Sequence, residues 1–119
     1  MVKKILLVPN IFFILILALF SFGVNFYYGH IGVNPMDNFV LYNGGYRVLN
    51  GYIPFKDYWL ITGPLLDYFN AFFFMVLGVT WKSFIFHSSL FNSLIALSTY
   101  LIFLDFKLNK LYSFLYAAS

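Results

Sequence analysis

Of the 119 residues, 62% are hydrophobic and only 9% charged, with a mean hydropathy of +0.84, whereas water-soluble domains run to roughly half apolar and a quarter charged. That balance excludes an ordinary soluble domain and predicts a membrane protein. The net charge of +3 is spread without a run, which argues against a nucleic-acid patch or a polybasic lipid-binding cluster, and the absence of cysteine removes disulfides and thiolate metal sites.

A bilayer span takes about 20 mostly apolar residues. The expected fold is therefore an all-α, multi-pass transmembrane protein with three full spans and the start of a fourth. The first span is predicted over about residues 5–28, with Lys3 and Lys4 before it and Tyr27-Tyr28 behind as an aromatic belt. A signal peptide is the rival reading, but the stretch is long and no A-x-A-like cleavage site follows, so a retained signal anchor is favoured.

Residues 29–62 form the sizeable polar segment, containing Asp37, Arg47, Lys56 and Asp57. Asn34-Pro35 predicts a helix start, with Asn34 as cap, and Asn50-Gly51 a stop. Leu41, Gly45, Val48 and Leu49 fall on one face of that helix and Asn43, Arg47 and Asn50 on another, a pattern suited to lying along a membrane surface. Gly44-Gly45 weakens the helix expectation. Tyr52, Phe55, Tyr58 and Trp59 are expected at headgroup level, where aromatic rings concentrate.

The second span is predicted over 64–81, opening on Pro64 as first helical residue and closing on Trp81 and Lys82. Asp67, in its first turn, is expected to be an acid favoured by the helix dipole and reaching water rather than a site residue. The third span, about 84–104, carries Ser89, Ser93 and Ala96 as a small-residue stripe suited to close helix packing. His30 and His87 lack ligand spacing to a second donor, so packing or interfacial roles are expected for both. After a polar turn at 105–110, the apolar run 111–119 would rise only about 14 Å, half of a roughly 30 Å hydrocarbon core. That half-span predicts the N-terminal part of a longer protein, because its last carbonyls would need other protein to cover them.

With the first span entering from the cytoplasm, Lys3, Lys4 and Lys82 are inside and Arg47, Lys56, Lys107 and Lys110 outside, a distribution that does not decide orientation. The order "PMDNFVLYNGGYRVLNGYIPFKDYWLITGPLLDYFNAFFFMVLG" resembles the first extracytoplasmic loop and second span of GT-C-fold membrane glycosyltransferases, the group that holds protein O-mannosyltransferases and lipid A aminoarabinose transferases. That family has an acidic residue soon after the first span, then a loose "R-x-L-x-x-G-x-x-P-[YF]-x-D", then "G-P-L-x-x-Y" and a closing glycine. Asp37, Arg47, Leu49, Gly51, Pro54, Phe55, Asp57, Gly63, Pro64, Leu65, Tyr68 and Gly78 supply these elements, with the interval from Leu49 to Gly51 one residue shorter than the pattern.

The resemblance implies transfer of a sugar from a polyprenyl-phosphate donor to a lipid, glycan or protein hydroxyl, with inversion, at the outer face of the membrane. It also implies a cytoplasmic N-terminus, with the bacterial inner membrane the preferred location. Asp37 matches the family's position for the base that takes the acceptor proton; its bland alternative is simple complementation of the helix dipole. Arg47 or Lys56 would meet the leaving phosphate, although Lys56 also suits an interface anchor that snorkels to water. Asp57 would orient the acceptor, or pair with Lys56 or Arg47. Where the family has a second acid beside the first, this chain has Asn38, so participation of a divalent metal stays open.

Expected partners are the bilayer, the polyprenyl-phosphate sugar, and either the rest of the same polypeptide or a partner membrane subunit, and no nucleic acid. The alternative to an enzyme is a small non-enzymatic multi-pass protein, either like a lipid-linked-sugar flippase or an assembly subunit that uses the Ser89, Ser93 and Ala96 stripe as its contact.

Overall fold

The computed structural model describes residues 7–33 and 35–119. Lys3, Lys4, the beginning of the first predicted span and the Asn34 cap lie outside the described residues. Among those described the chain is all-helical, in the order α1 (Leu7–Ile31), α2 (Pro35–Leu49), α3 (Leu65–Leu77), α4 (Trp81–Asp105) and α5 (Lys110–Ala118). Two of these helices, α1 and α4, are long and apolar enough to cross a bilayer. Each has 25 residues, or about 37 Å at 1.5 Å per residue, more than the roughly 30 Å of hydrocarbon.

The second predicted span does not form one helix. The helix α3 has 13 residues, about 20 Å, which is too short to cross by itself. It stops because Gly78 takes a left-handed φ of 86° and its N–H bonds back to the Phe74 carbonyl. Thr80 then starts a new helix: its Oγ1 accepts the Ser83 N–H at 3.2 Å and shares a hydrogen bond with the Ser83 hydroxyl at 2.8 Å. Trp81 and Lys82 therefore open α4 instead of closing a span. Pro64 sits one position earlier than expected, as the N-cap of α3.

The chain divides into two compact units, one taking residues through Asn25 with Ser89–Ser119, the other Phe26–Ser88. In the first, Leu17, Ala96 and Tyr100 are buried together, with Phe13, Phe114 and Ala117 packed against them. The expected small-residue stripe is the contact face of α4. Ser89, Ser93 and Ala96 are buried; the Ser93 hydroxyl donates to the Ala18 carbonyl at 3.1 Å and the Ser89 hydroxyl to Asn25 Oδ1 at 3.1 Å. Asn92 adds a third link from α4 to α1 by donating to the Ser21 hydroxyl at 3.2 Å. In a segment this apolar, such bonds fix the rotation of one helix against the other. Asn109 caps α5 by accepting the Leu111 N–H at 2.9 Å.

In the second unit α2 packs on α3 through the face that carries Leu41, Gly44, Gly45 and Val48. The two glycines do not break the helix, because the space of their missing side chains is occupied. A Cβ on Gly44 would overlap the Asp67 carboxylate, and one on Gly45 would overlap Asn70 Cβ. Tyr42 extends the contact, its ring lying 4.8 Å from Phe74, 5.8 Å from Phe84 and 6.1 Å from Trp81. The Trp81 indole donates to the Gly29 carbonyl at 3.2 Å, which ties the end of α1 to the start of α4. His87 is buried with its ring 5.1 Å from Phe73 and 6.4 Å from Phe69, in keeping with a packing role.

Candidate functional site

The polar segment between α1 and α3 is organised by two local devices. The first ends α2: Gly51 takes φ 87°, its N–H bonds to the Val48 carbonyl at 2.9 Å, and the Tyr52 N–H bonds to the Arg47 carbonyl at 3.1 Å. This pair of bonds is the Schellman motif, and it needs the left-handed conformation that glycine adopts without strain. The Asn50-Gly51 stop is where the sequence places it.

The second device is a tight turn over 53–58. The Asp57 carboxylate accepts the Ile53 N–H at 2.7 Å, the Asp57 N–H donates to the Ile53 carbonyl at 2.9 Å, and the Phe55 N–H donates to the Tyr58 carbonyl at 2.9 Å. Phe55 is held at φ 63°, a left-handed conformation that costs a side-chain-bearing residue of order 1 kcal/mol. Asp57 thus clamps the turn through one of its oxygens while facing the space beside Arg47. Lys56 is exposed at the same turn.

The turn delivers Tyr58 to α2 and α3. Its hydroxyl donates to Asp67 Oδ2 at 2.7 Å and lies 3.4 Å from the Gly44 carbonyl, while the Arg47 guanidinium stands 5.1 Å above its ring. Asp67 is fully buried, which corrects the expectation of a water-reaching acid: the dipole position is as expected, but Tyr58 and the glycine face of α2 close over the carboxylate. Its Oδ1 has no hydrogen-bond partner among the described residues, and neither has Asn70 Oδ1, although Asn70 Nδ2 donates to the Leu41 carbonyl at 3.2 Å. The Tyr58 hydroxyl is held above its usual pKa of 10.0, chiefly by burial and further by its hydrogen bond to Asp67.

Arg47 lines two neighbouring cavities. One, of about 380 Å³, is bounded by Asn43, Tyr46, Arg47, Tyr52 and Asp57. The other, of about 210 Å³, is bounded by Val40, Asn43, Gly44, Arg47, Tyr58, Trp59 and Leu60. Both mix polar and apolar lining: the first carries two tyrosines, an amide and a carboxylate, and the second is bordered by the Tyr58 and Trp59 rings beside Asn43 and Gly44. Of the residues singled out from sequence, the structure brings Arg47 and Asp57 to one cavity. Lys56 lines neither, nor does Asp37, which is exposed in the first turn of α2 and ten residues from Arg47, about 15 Å along the helix axis. Asn43 joins Arg47 because residues four apart share a helix face, a spacing visible in the sequence, and Tyr46 precedes Arg47 on the same helix; Tyr52 and Tyr58 reach the site only through the stop at Gly51 and the turn that follows.

No group of three His, Cys, Asp or Glu side chains that could hold a metal occurs among the described residues. In comparisons with known proteins, no family model, curated protein or solved structure matches the chain.

Proposed function

We propose that this chain belongs to a membrane glycosyltransferase that takes a sugar from a polyprenyl-phosphate donor at the extracytoplasmic face and attaches it to a lipid, glycan or protein hydroxyl. In this reading α1 and α4 cross the bilayer, α5 begins a further crossing, and the polar segment between α1 and α3 lies outside. The resemblance of residues 37–78 to the GT-C pattern supplies the class. The observation that carries it structurally is the position of Arg47 between two cavities, one bounded by Asn43, Tyr46, Tyr52 and Asp57 and the other bordered by Trp59.

A donor of this kind joins a polar ring to a hydrocarbon chain through a phosphate, and a guanidinium at the junction matches the phosphate with paired N–H donors. Asn43, Tyr46, Tyr52 and Asp57 offer hydroxyl-reading groups on the sugar side. As the acceptor oxygen attacks the anomeric carbon, the bond from that carbon to the phosphate oxygen breaks; the acceptor proton goes to the Asp37 carboxylate, and the new charge stays on the polyprenyl phosphate, next to Arg47. Asp37 lines neither cavity and stands about 15 Å along α2 from Arg47, so its assignment as the base rests on the resemblance.

The test is transfer in membranes that contain the longest natural form of the protein, scored as release of polyprenyl phosphate from a panel of undecaprenyl-phosphate sugars. Asp37→Asn is expected to lower kcat about 10²- to 10⁴-fold, the usual contribution of a general base, and Arg47→Ala to raise KM. Unchanged transfer in Asp37→Asn would remove Asp37 as the base, and no transfer by the wild type from any donor of the panel would remove the enzyme reading.

A further inference from the structure

We infer that Asp67 and Tyr58 are positioning residues for Arg47: the buried carboxylate holds the tyrosine by its hydroxyl, and the ring face holds the guanidinium at the junction of the two cavities. The inference rests on the proposed role of Arg47 as an anion seat and adds how that seat is built.

Three observations converge. A lone arginine near a helix end has several rotatable bonds and would sweep a wide arc; here its guanidinium stands 5.1 Å over the Tyr58 ring, within the range where the ring quadrupole attracts a cation. Tyr58 is itself fixed at its far end, 2.7 Å from Asp67 Oδ2. Asp67, finally, is fully buried with its second oxygen unpartnered, an arrangement that burial penalises unless the carboxylate serves its neighbour. Gly44 leaves the space in which Asp67 sits, since a side chain there would occupy the carboxylate position. The contact with Tyr58 engages the guanidinium as a cation and takes up none of its N–H donors in a hydrogen bond, and those donors are what a phosphate contacts.

The test is binding of dodecyl phosphate to the chain in octaethylene glycol dodecyl ether micelles, a detergent with neither sugar nor phosphate, followed by tryptophan fluorescence, since Trp59 borders one cavity. Arg47→Ala tests the seat itself: binding equal to wild type would end the Arg47 reading whatever the other variants do. Tyr58→Phe keeps the ring and loses the anchor, and is expected to weaken binding about fivefold, since only part of the worth of that hydrogen bond is passed on to the ligand. Asp67→Ala should weaken it by a similar factor, and Asp67→Asn, whose amide carbonyl can still accept from Tyr58, should restore most of it.

The discriminating measurement is the pair with Arg47→Gln, which keeps N–H donors but no charge for the ring to hold. In that background Tyr58→Phe is expected to change binding less than twofold. An equal loss in both backgrounds would show that Tyr58 acts independently of Arg47 and would overturn the inference, as would wild-type binding by Tyr58→Phe. If Asp67→Ala does not fold, Tyr58→Phe, which deletes a single hydroxyl, carries the same comparison.

Discussion

Replacing Gly44 by alanine sets two effects of known sign against each other. In the interior of an exposed helix the change would stabilise by roughly 1 kcal/mol, because glycine is the weaker helix former. At Gly44 the added methyl would overlap both oxygens and Cγ of Asp67, and overpacking of this kind costs about 1–3 kcal/mol. Asp67 has little freedom to withdraw, since it is fully buried and its Oδ2 accepts from Tyr58 at 2.7 Å; moving it gives up a hydrogen bond to an acidic group, worth about 1.5–3 kcal/mol. The steric and hydrogen-bond terms outweigh propensity, so Gly44→Ala should destabilise by about 1.5–5 kcal/mol net. The assay is unfolding in mixed micelles titrated with sodium dodecyl sulfate, followed by far-ultraviolet circular dichroism. Gly23→Ala is the control, because nothing lies within 4 Å of a Cβ there, and it should be neutral or stabilising. In the double variant Gly44→Ala/Asp67→Ala the overlap is gone, so its loss should be smaller than the sum of the single losses. If Gly44→Ala proves as stable as Gly23→Ala, the close approach of α2 to α3 is refuted.

Tyr100 is fully buried and its hydroxyl has no hydrogen-bond partner among the described residues. Tyr100→Phe should therefore raise stability in the same assay by about 1 kcal/mol through removal of an unsatisfied polar group; a loss of that size would mean the hydroxyl is engaged. The Tyr58 pKa, raised in the folded state by burial and then by Asp67, makes a pH prediction. The folded state holds the proton more tightly than the unfolded chain, so this contribution is complete below pH 10.0 and is lost as pH climbs from there through the folded value. Alkaline unfolding of the wild type should then begin above that pH, and Tyr58→Phe should flatten the fall. An unaltered alkaline limb in the variant would contradict the burial of the hydroxyl.

What the sequence discloses about this fold follows the range of the interaction concerned. The end of α2 at Asn50-Gly51 was legible because a Schellman motif is local and names its residue. So were the long apolar runs that became α1 and α4, and the Ser89, Ser93 and Ala96 stripe, since the spacing of small residues defines a face before its partner is known. The second predicted span failed on a physical ambiguity: hydropathy over 64–81 is continuous, and it does not register that Gly78 reverses the chain while Thr80 caps a new helix. Of the candidate site, Arg47 and Asp57 were legible as charges, but the sharing of a cavity by the two depends on a turn whose hydrogen bonds cannot be inferred from composition.

Gly44-Gly45 and Asp67 were misjudged together, for one reason. Taken alone, paired glycines weaken a helix and an acid in a first turn complements a dipole and reaches water. Each local argument omits the other helix. Asp67 and Asn70, three residues apart on one face of α3, meet Gly44 and Gly45 of α2, so that the glycines make room and the polar side chains fill it. The charges of this apolar chain then cease to be separate surface features. Asp67 lies deep and accepts from Tyr58, Tyr58 lies beneath the Arg47 guanidinium and borders one cavity, and the guanidinium reaches both. A buried carboxylate that looks costly in isolation thus becomes the inner end of a connected polar chain whose outer end is the group available to a ligand.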